Sequence, residues 1–138
     1  MSFLVSLSAA SEQDVTVDWA TADNTAVSPA DFTAASGTLT ILAGDTSGTI
    51  NVSTADDAIS ELSEDFVVNL SNPGNATISD ASGTGTITDN DGSPQLSVND
   101  VSVAEGSAVS FTITASKVSS QNITVDYATS DGTAVAGS

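Results

Sequence analysis

The sequence predicts an all-β protein, a sandwich of antiparallel sheets made of short strands, and three observations carry that expectation. Apolar residues alternate with Thr, Ser and Asp at a period of two. Clusters of Gly, Pro, Asn and Asp punctuate these runs. No segment shows a helical period.

The elements follow in order. Val15, Val17 and Trp19 alternate with Thr16 and Asp18, and Leu39 and Ile41 alternate with Thr38 and Thr40. Ile50 and Val52 make a third run, and Phe66, Val68 and Leu70 a fourth. Turns are expected at Ala43-Gly44-Asp45, at Asn72-Pro73-Gly74-Asn75 and at Asp89-Asn90-Asp91-Gly92. Aromatics are 4% of the chain, so the core must be mainly aliphatic. Trp19 and Tyr127 stand at equivalent places and read as core aromatics, as do Phe3, Phe66 and Phe111. Phe32 is placed to pack under the loop that carries Asp31.

The chain repeats itself. Residues 2–27 align without a gap on 110–135, an offset of 108, with TVDWATADNTAV (16–27) against TVDYATSDGTAV (124–135). That period is too long for a solenoid and suits successive domains. The expected division is 1–91, a linker at 92–94, and a second unit at 95–138. The second unit opens with a strand, Leu96 to Val103, that has no counterpart before Phe3, so the first unit is expected to lack its opening strand and the second to be truncated. The four steps from Asp91 to Gln95 reach at most about 14 Å, less than the ~20 Å of a typical strand. The same chain is therefore not expected to fill the gap. Either strand exchange with another copy completes the units, or the protein continues at both ends.

Charge narrows the function. Eighteen acids face one base, Lys117, for a net charge of −17 in 138 residues. Such a chain cannot neutralise phosphates, which excludes nucleic acid, and it is repelled by anionic membrane surfaces, so no direct membrane contact is expected. A metal cation is the simplest partner. With no Cys, disulfides and thiolate sites are excluded; with no His and no Arg, a catalytic constellation has little to draw on, and the chain is not expected to be an enzyme.

The acids sit where a sandwich puts its loops. Asp56 and Asp57 follow a strand, Glu61 and Glu64 lie in the connection to the next, Asp89 and Asp91 follow the last, and Asp31 follows the loop after the Trp19 strand. If strand direction alternates regularly, several of these loops share one pole. Oxygen-only, acid-rich loops suit Ca²⁺, which takes about six to eight oxygen ligands. Asp31 is the least constrained of this set. Asp45, Asp80 and Asp100 read as turn formers or solvated surface, and Asp23 and Asp131 as residues that set a loop.

These motifs resemble the Calx-β family: VSVAEG (101–106), YATSDGTAVAG (127–137) with WATADNTAVSPADF (19–32), GTLTILAGDTSGTINVSTADD (37–57), ISELSEDFVVNLSNP (59–73) and GTGTITDND (83–91). Together they cover nearly the whole chain in the family's order. The resemblance implies an immunoglobulin-like sandwich of about seven strands per repeat that binds Ca²⁺ in the loops at one end. It maps calcium ligands onto Asp31, Asp56, Asp57, Glu61, Glu64, Asp89 and Asp91, and onto Glu105, which belongs to the second unit. Ala58 stands where some members have a third consecutive acid, and Asn90 interrupts the closing acidic triplet. Both departures imply fewer or weaker ions. The expected role is a calcium-binding structural or adhesive repeat of a large extracellular or cell-surface protein, with neighbouring repeats as partners. The alternative is a calcium sensor that acts on a flanking transporter or signalling segment.

Overall fold

The computed structural model describes residues 1–134. Residues 135–138, which include the end of the second expected unit, lie outside the described residues. Six strands build the first unit: β1 (Ser2–Ser6), β2 (Val15–Asp23), β3 (Ser36–Ile41), β4 (Ser47–Asn51), β5 (Glu64–Gly74) and β6 (Ser82–Ile87). One sheet has the order β3-β2-β5-β6, and β1 pairs with β4 in a second. Every pairing between these strands is antiparallel. The central pair, β2 with β5, joins strands far apart in sequence, as in sandwiches with Greek-key connections.

The period-2 pattern explains the core. Val15, Val17, Ile41, Ile50, Val52, Phe66 and Val68 are buried, joined by Ala26 and Phe32 from the β2–β3 loop. Phe66 is fully enclosed; Phe32 stacks on it at 4.3 Å and Phe3 meets it edge-on at 5.7 Å. Trp19 and Leu70 pack against this cluster from partly buried positions.

Of the predicted turn Asn72-Pro73-Gly74-Asn75, the first three residues are instead the end of β5, and the chain bends only from Asn75, with a φ of 59°. The register runs from Asp18↔Ser71 to Thr16↔Gly74, two steps on β2 against three on β5. This is a β-bulge, which takes the same residues as a turn. Asn72 adopts a φ of 48°, and the missing N–H of Pro73 costs nothing where pairing is already interrupted.

The second unit departs further from expectation. Its opening strand is only β7 (Leu96–Val98), paired with β8 (Ile113–Ala115). Residues 123–131, the repeat of β2, form no strand. Tyr127 is 89% exposed and Phe111 56%, so neither is a core aromatic. The reason is layering: an alternating strand buries one face only against a second layer, and a two-stranded pair is marginal alone. The second unit touches the first through a short parallel bridge between Ser60 and Ser119, with Ser60 N–H donating to the Val118 carbonyl at 3.1 Å and Ser120 N–H to the Ser60 carbonyl at 3.1 Å.

Candidate metal centre

The antiparallel order fixes one pole of the sandwich. The end of β2 pairs with the start of β5 (Asp23↔Phe66), and the start of β5 pairs with the end of β6 (Glu64↔Ile87). Phe32 in the β2–β3 loop bridges to Thr54 just beyond β4. Three loops therefore meet, β2–β3, β4–β5 and the segment after β6. Between them lies a cleft of about 220 Å³ lined by Asp31, Asp56, Asp57, Glu61, Glu64, Asp89 and Asp91, together with Thr54, Thr88 and Asn90. Glu105 does not line it: that residue is exposed in a turn of the second unit, beside Gly106 with its φ of 80°.

Within the cleft the seven carboxylates are not equivalent. Asp31, Glu61 and Glu64 each present an oxygen within 4.8 Å of the other two, and all three side chains are half-buried. Glu64 is the first residue of β5 rather than part of the preceding connection. It has the parity of Phe66 and Val68, so it continues their inward face to the mouth of the sandwich. Asp31 is held by its own loop: the Val27 N–H donates to its carboxylate at 2.7 Å, and its N–H donates to the Val27 carbonyl at 3.0 Å. The Ala55 N–H donates to the Asp31 carbonyl at 2.8 Å, tying the β2–β3 loop to the segment after β4.

The remaining acids brace the loops. Asp57 accepts from the Ile59 N–H at 2.8 Å, Asp89 from the Glu61 N–H at 3.0 Å and the Asp91 N–H at 3.1 Å, and Asp56 from the Asn90 side-chain amide at 2.9 Å. Asp91 faces Lys117 at 3.8 Å, and the Lys117 ammonium also donates to the Asp91 carbonyl at 2.7 Å. Asp65 carries no functional prediction from sequence, yet it anchors the neighbouring loop by accepting from Thr25 at 2.6 Å and Asn24 at 3.1 Å. The adjacent acids Glu64-Asp65 conceal this division, and parity with Phe66 is the signal that separates them: the even residue faces in and the odd one out. Asp23 accepts from the Ser28 N–H at 3.1 Å, the behaviour of a loop-setting residue.

Electrostatics mark the two glutamates of this trio. Glu61 is pushed above the usual glutamate range, first by partial burial and then by the charges of Asp57, Asp31 and Asp89. Glu64 is pushed up by partial burial, by Asp31 and Glu61, and by a hydrogen bond with Asp31 that favours its protonated form. Like charges so close, with no cation beside Glu61 and Glu64 among the described residues, raise the cost of ionising either. The donor set is all oxygen. A spread of at most 4.8 Å leaves a common point within about 2.8 Å of all three carboxylates, so a small inward movement brings them to the bond length of Ca²⁺, about 2.3–2.6 Å.

The model of the Calx-beta domain family matches residues 1–91 and again 87–138. The chain belongs to the Calx-beta domain family. Among solved structures it is similar to the calcium binding domain CBD12 of CALX1.1, at 24% identity over 72% of this chain and 43% of that one, with a TM-score of 0.63. CBD12 from CALX1.2 gives 24% identity over 72% of this chain and 41% of that one, with a TM-score of 0.63. The apo-form Calx CBD1 domain gives 27% identity over 58% of this chain and 73% of that one, with a TM-score of 0.54. The chain spans a little over two fifths of the length of the two CBD12 structures, and at their identity the likeness speaks for the fold alone. A comparison with curated proteins gives no match. As a Calx-beta sandwich the chain is all-β, without a helix among the described residues.

Proposed function

We propose that the first unit of this Calx-beta chain binds Ca²⁺ at the pole of the sandwich, and that it serves as a calcium-stiffened repeat in a large extracellular or cell-surface protein. One observation carries the reading: Asp31 from the β2–β3 loop, and Glu61 and Glu64 from the segment that leads into β5, converge within 4.8 Å in a cleft whose other charged lining residues are also acids. One similar solved structure, CBD12 of CALX1.1, is named a calcium binding domain, which is in keeping with this reading. Asp31, Glu61 and Glu64 form the central ligand set. Asp56, Asp57, Asp89 and Asp91 supply further oxygens as the ion draws the loops in, and Asn90 offers a neutral one. Glu105 is a ligand only for a corresponding site in the second unit.

The chemistry is binding, not catalysis. A bound cation offsets the burial and the repulsion that raise Glu61 and Glu64 and orders three loops at once, so ion binding becomes folding free energy. An adhesive or stalk role follows from tandem units, 1–91 and 95–138 about a 92–94 linker, whose joint lies beside the cleft. Extracellular modules work with Kd values of about 10⁻⁴–10⁻³ M, which suits an exposed, acid-rich site. The sensor reading draws on a specific contact: Ser60, one residue before Glu61, is bonded to Val118 and Ser120 of the second unit. Movement of the 57–64 segment on ion binding would reach the neighbour directly.

A thermal melt with calcium titrated against EDTA and magnesium tests the proposal. A ligand of the folded state adds about 2.7 kcal/mol at a hundredfold excess over Kd. A calcium-specific rise supports the site; no shift at millimolar calcium makes these acids surface charge.

A further inference from the structure

Outside the cleft, Asp31 and Glu64 are joined by a second link. The β2–β5 ladder stops at Asp23↔Phe66. Beyond it, side chains continue the pairing. Asp65 accepts from the Thr25 hydroxyl at 2.6 Å and from the Asn24 side-chain amide at 3.1 Å, and the Asp65 N–H donates back to the Thr25 hydroxyl at 2.8 Å. The Ala26 N–H donates to the Asp65 carbonyl at 2.9 Å. Residues 24–26 of the β2–β3 loop are thus fastened to one residue of β5.

Each end of this link continues into a member of the trio. On β5, Asp65 directly follows Glu64, and its odd parity turns its side chain away from the inward face. In the loop, Ala26 is fully buried in the core, and the next residue, Val27, holds Asp31. The Val27 N–H donates to the Asp31 carboxylate at 2.7 Å, and the Val27 carbonyl accepts from the Asp31 N–H at 3.0 Å. Asn24, Thr25 and Asp65 do not line the cleft, so they are not placed as ligands. The residue types suit a two-way link. A Thr hydroxyl both donates and accepts, and an ionised Asp offers two acceptor oxygens. A bond to a carboxylate is charge-assisted, and 2.6 Å is short even for that class.

We propose that Thr25 and Asp65 are positioning residues of the metal centre. Their reciprocal bonds hold the loop that carries Asp31 against the strand that carries Glu64, and so set the affinity for Ca²⁺. The inference rests on the reading that the cleft binds Ca²⁺, and adds that the affinity depends on two residues that do not touch the ion. Asp31 and Glu64 repel each other when ionised, and the β2–β3 loop runs from Asn24 to Ala35. A loop left free must be ordered when the ion binds, at an entropic cost taken from the affinity; a loop already tied down presents its carboxylate in place. The rest of the loop has its own supports. Ala26 and Phe32 are buried, Asp23 accepts from the Ser28 N–H, and the Ala55 N–H donates to the Asp31 carbonyl. Loss of the Thr25 hydroxyl therefore loosens the site without unfolding the sandwich.

Isothermal titration calorimetry of the full chain with calcium chloride tests this. Thr25→Val keeps the shape and the net charge, lies at an exposed position, and removes both bonds of the hydroxyl. It is expected to weaken calcium binding about tenfold, the low end of what a lost outer-shell partner costs. Asp65→Ala is expected to weaken it at least as much. The double variant is expected to be no weaker than Asp65→Ala, because both changes break one link. Thr25→Ser, which keeps the hydroxyl, is expected to bind as the wild type does. Melts in EDTA separate fold from site: a merely structural role lowers Tm and leaves Kd where it was. A Thr25→Val chain with the wild-type Kd, or a double variant whose loss is the product of the two single losses, overturns the positioning role while the calcium site stands. A wild type that takes up no calcium overturns both. Should Asp65→Ala fail to fold, the comparison of Thr25→Val with Thr25→Ser decides alone.

Discussion

Replacing Glu64 by Gln separates a calcium site from a patch of surface charge, because it moves stability in opposite directions with and without the ion. Glu64 has two carboxylate neighbours, Asp31 and Glu61, within 4.8 Å. Each unit-charge repulsion at that distance is about 0.9 kcal/mol at the dielectric of water and about 3.5 kcal/mol at an effective value of 20. The trio is only half-buried, so the lower figure governs, and screening reduces the relief to about 1 kcal/mol in total. For a domain of this size that is a rise of about 4–8 °C in Tm in EDTA. In calcium the same change removes a charged ligand. A tenfold weaker Kd turns the ~2.7 kcal/mol gained at a hundredfold excess into about 1.4 kcal/mol. Scanning calorimetry of both proteins, in EDTA and at one fixed calcium concentration, reads both effects. A Glu64→Gln chain that melts lower in EDTA and keeps its full calcium increment would refute the reasoning.

Other expectations follow from the same geometry. Glu61 and Glu64 are raised in the folded state, so their contribution to stability is present below the ordinary glutamate value of 4.5 and is lost as pH rises through their raised values. Acidifying the EDTA form through that window should therefore stabilise the wild type more than a Glu61→Gln, Glu64→Gln double variant, while the calcium-induced shift in Tm shrinks. Asp18 works the other way: hydrogen bonds from Thr38 and Asn72 hold it low, so its contribution is present above the ordinary aspartate value of 3.8 and disappears only below it, as a comparison of Asp18→Asn with wild type in strong acid checks. Phe66→Ala removes the ring on which Phe32 stacks and should cost about 3–5 kcal/mol in urea unfolding. Gly85→Ala would place a methyl 2.7 Å from the Phe3 ring and 3.1 Å from the Phe66 ring, and should cost about 1–3 kcal/mol by overpacking.

The sandwich of the first unit was legible because its strands are half-buried and their alternation is strict: Val15, Val17, Phe66 and Val68 each fall on the enclosed face. Asn72-Pro73-Gly74 was misread because a bulge and a turn use the same residues, and only pairing across β2 decides between them. The aromatic at position 127 was misread for a related reason. Its pattern is that of Trp19, but a pattern buries a side chain only when another layer faces it, and residues 95–134 supply β7 and β8 alone. Spacing alone placed the acids in loops, and the strand order gathers seven of them in one cleft. It could not rank them, since an Asp that accepts its own loop's N–H, as Asp57 does, has the same sequence signature as one that faces a cavity. Glu64 is the exception, because its parity with Phe66 can be read from the sequence.

The most direct test of the central claim is a crystal structure of the chain grown in calcium, with anomalous diffraction used to locate the ion. The account predicts an anomalous peak in the cleft about 2.3–2.6 Å from carboxylate oxygens of Asp31, Glu61 and Glu64. A calcium-soaked crystal with no peak there, or with peaks only at exposed acids such as Asp45 and Asp80, would contradict it.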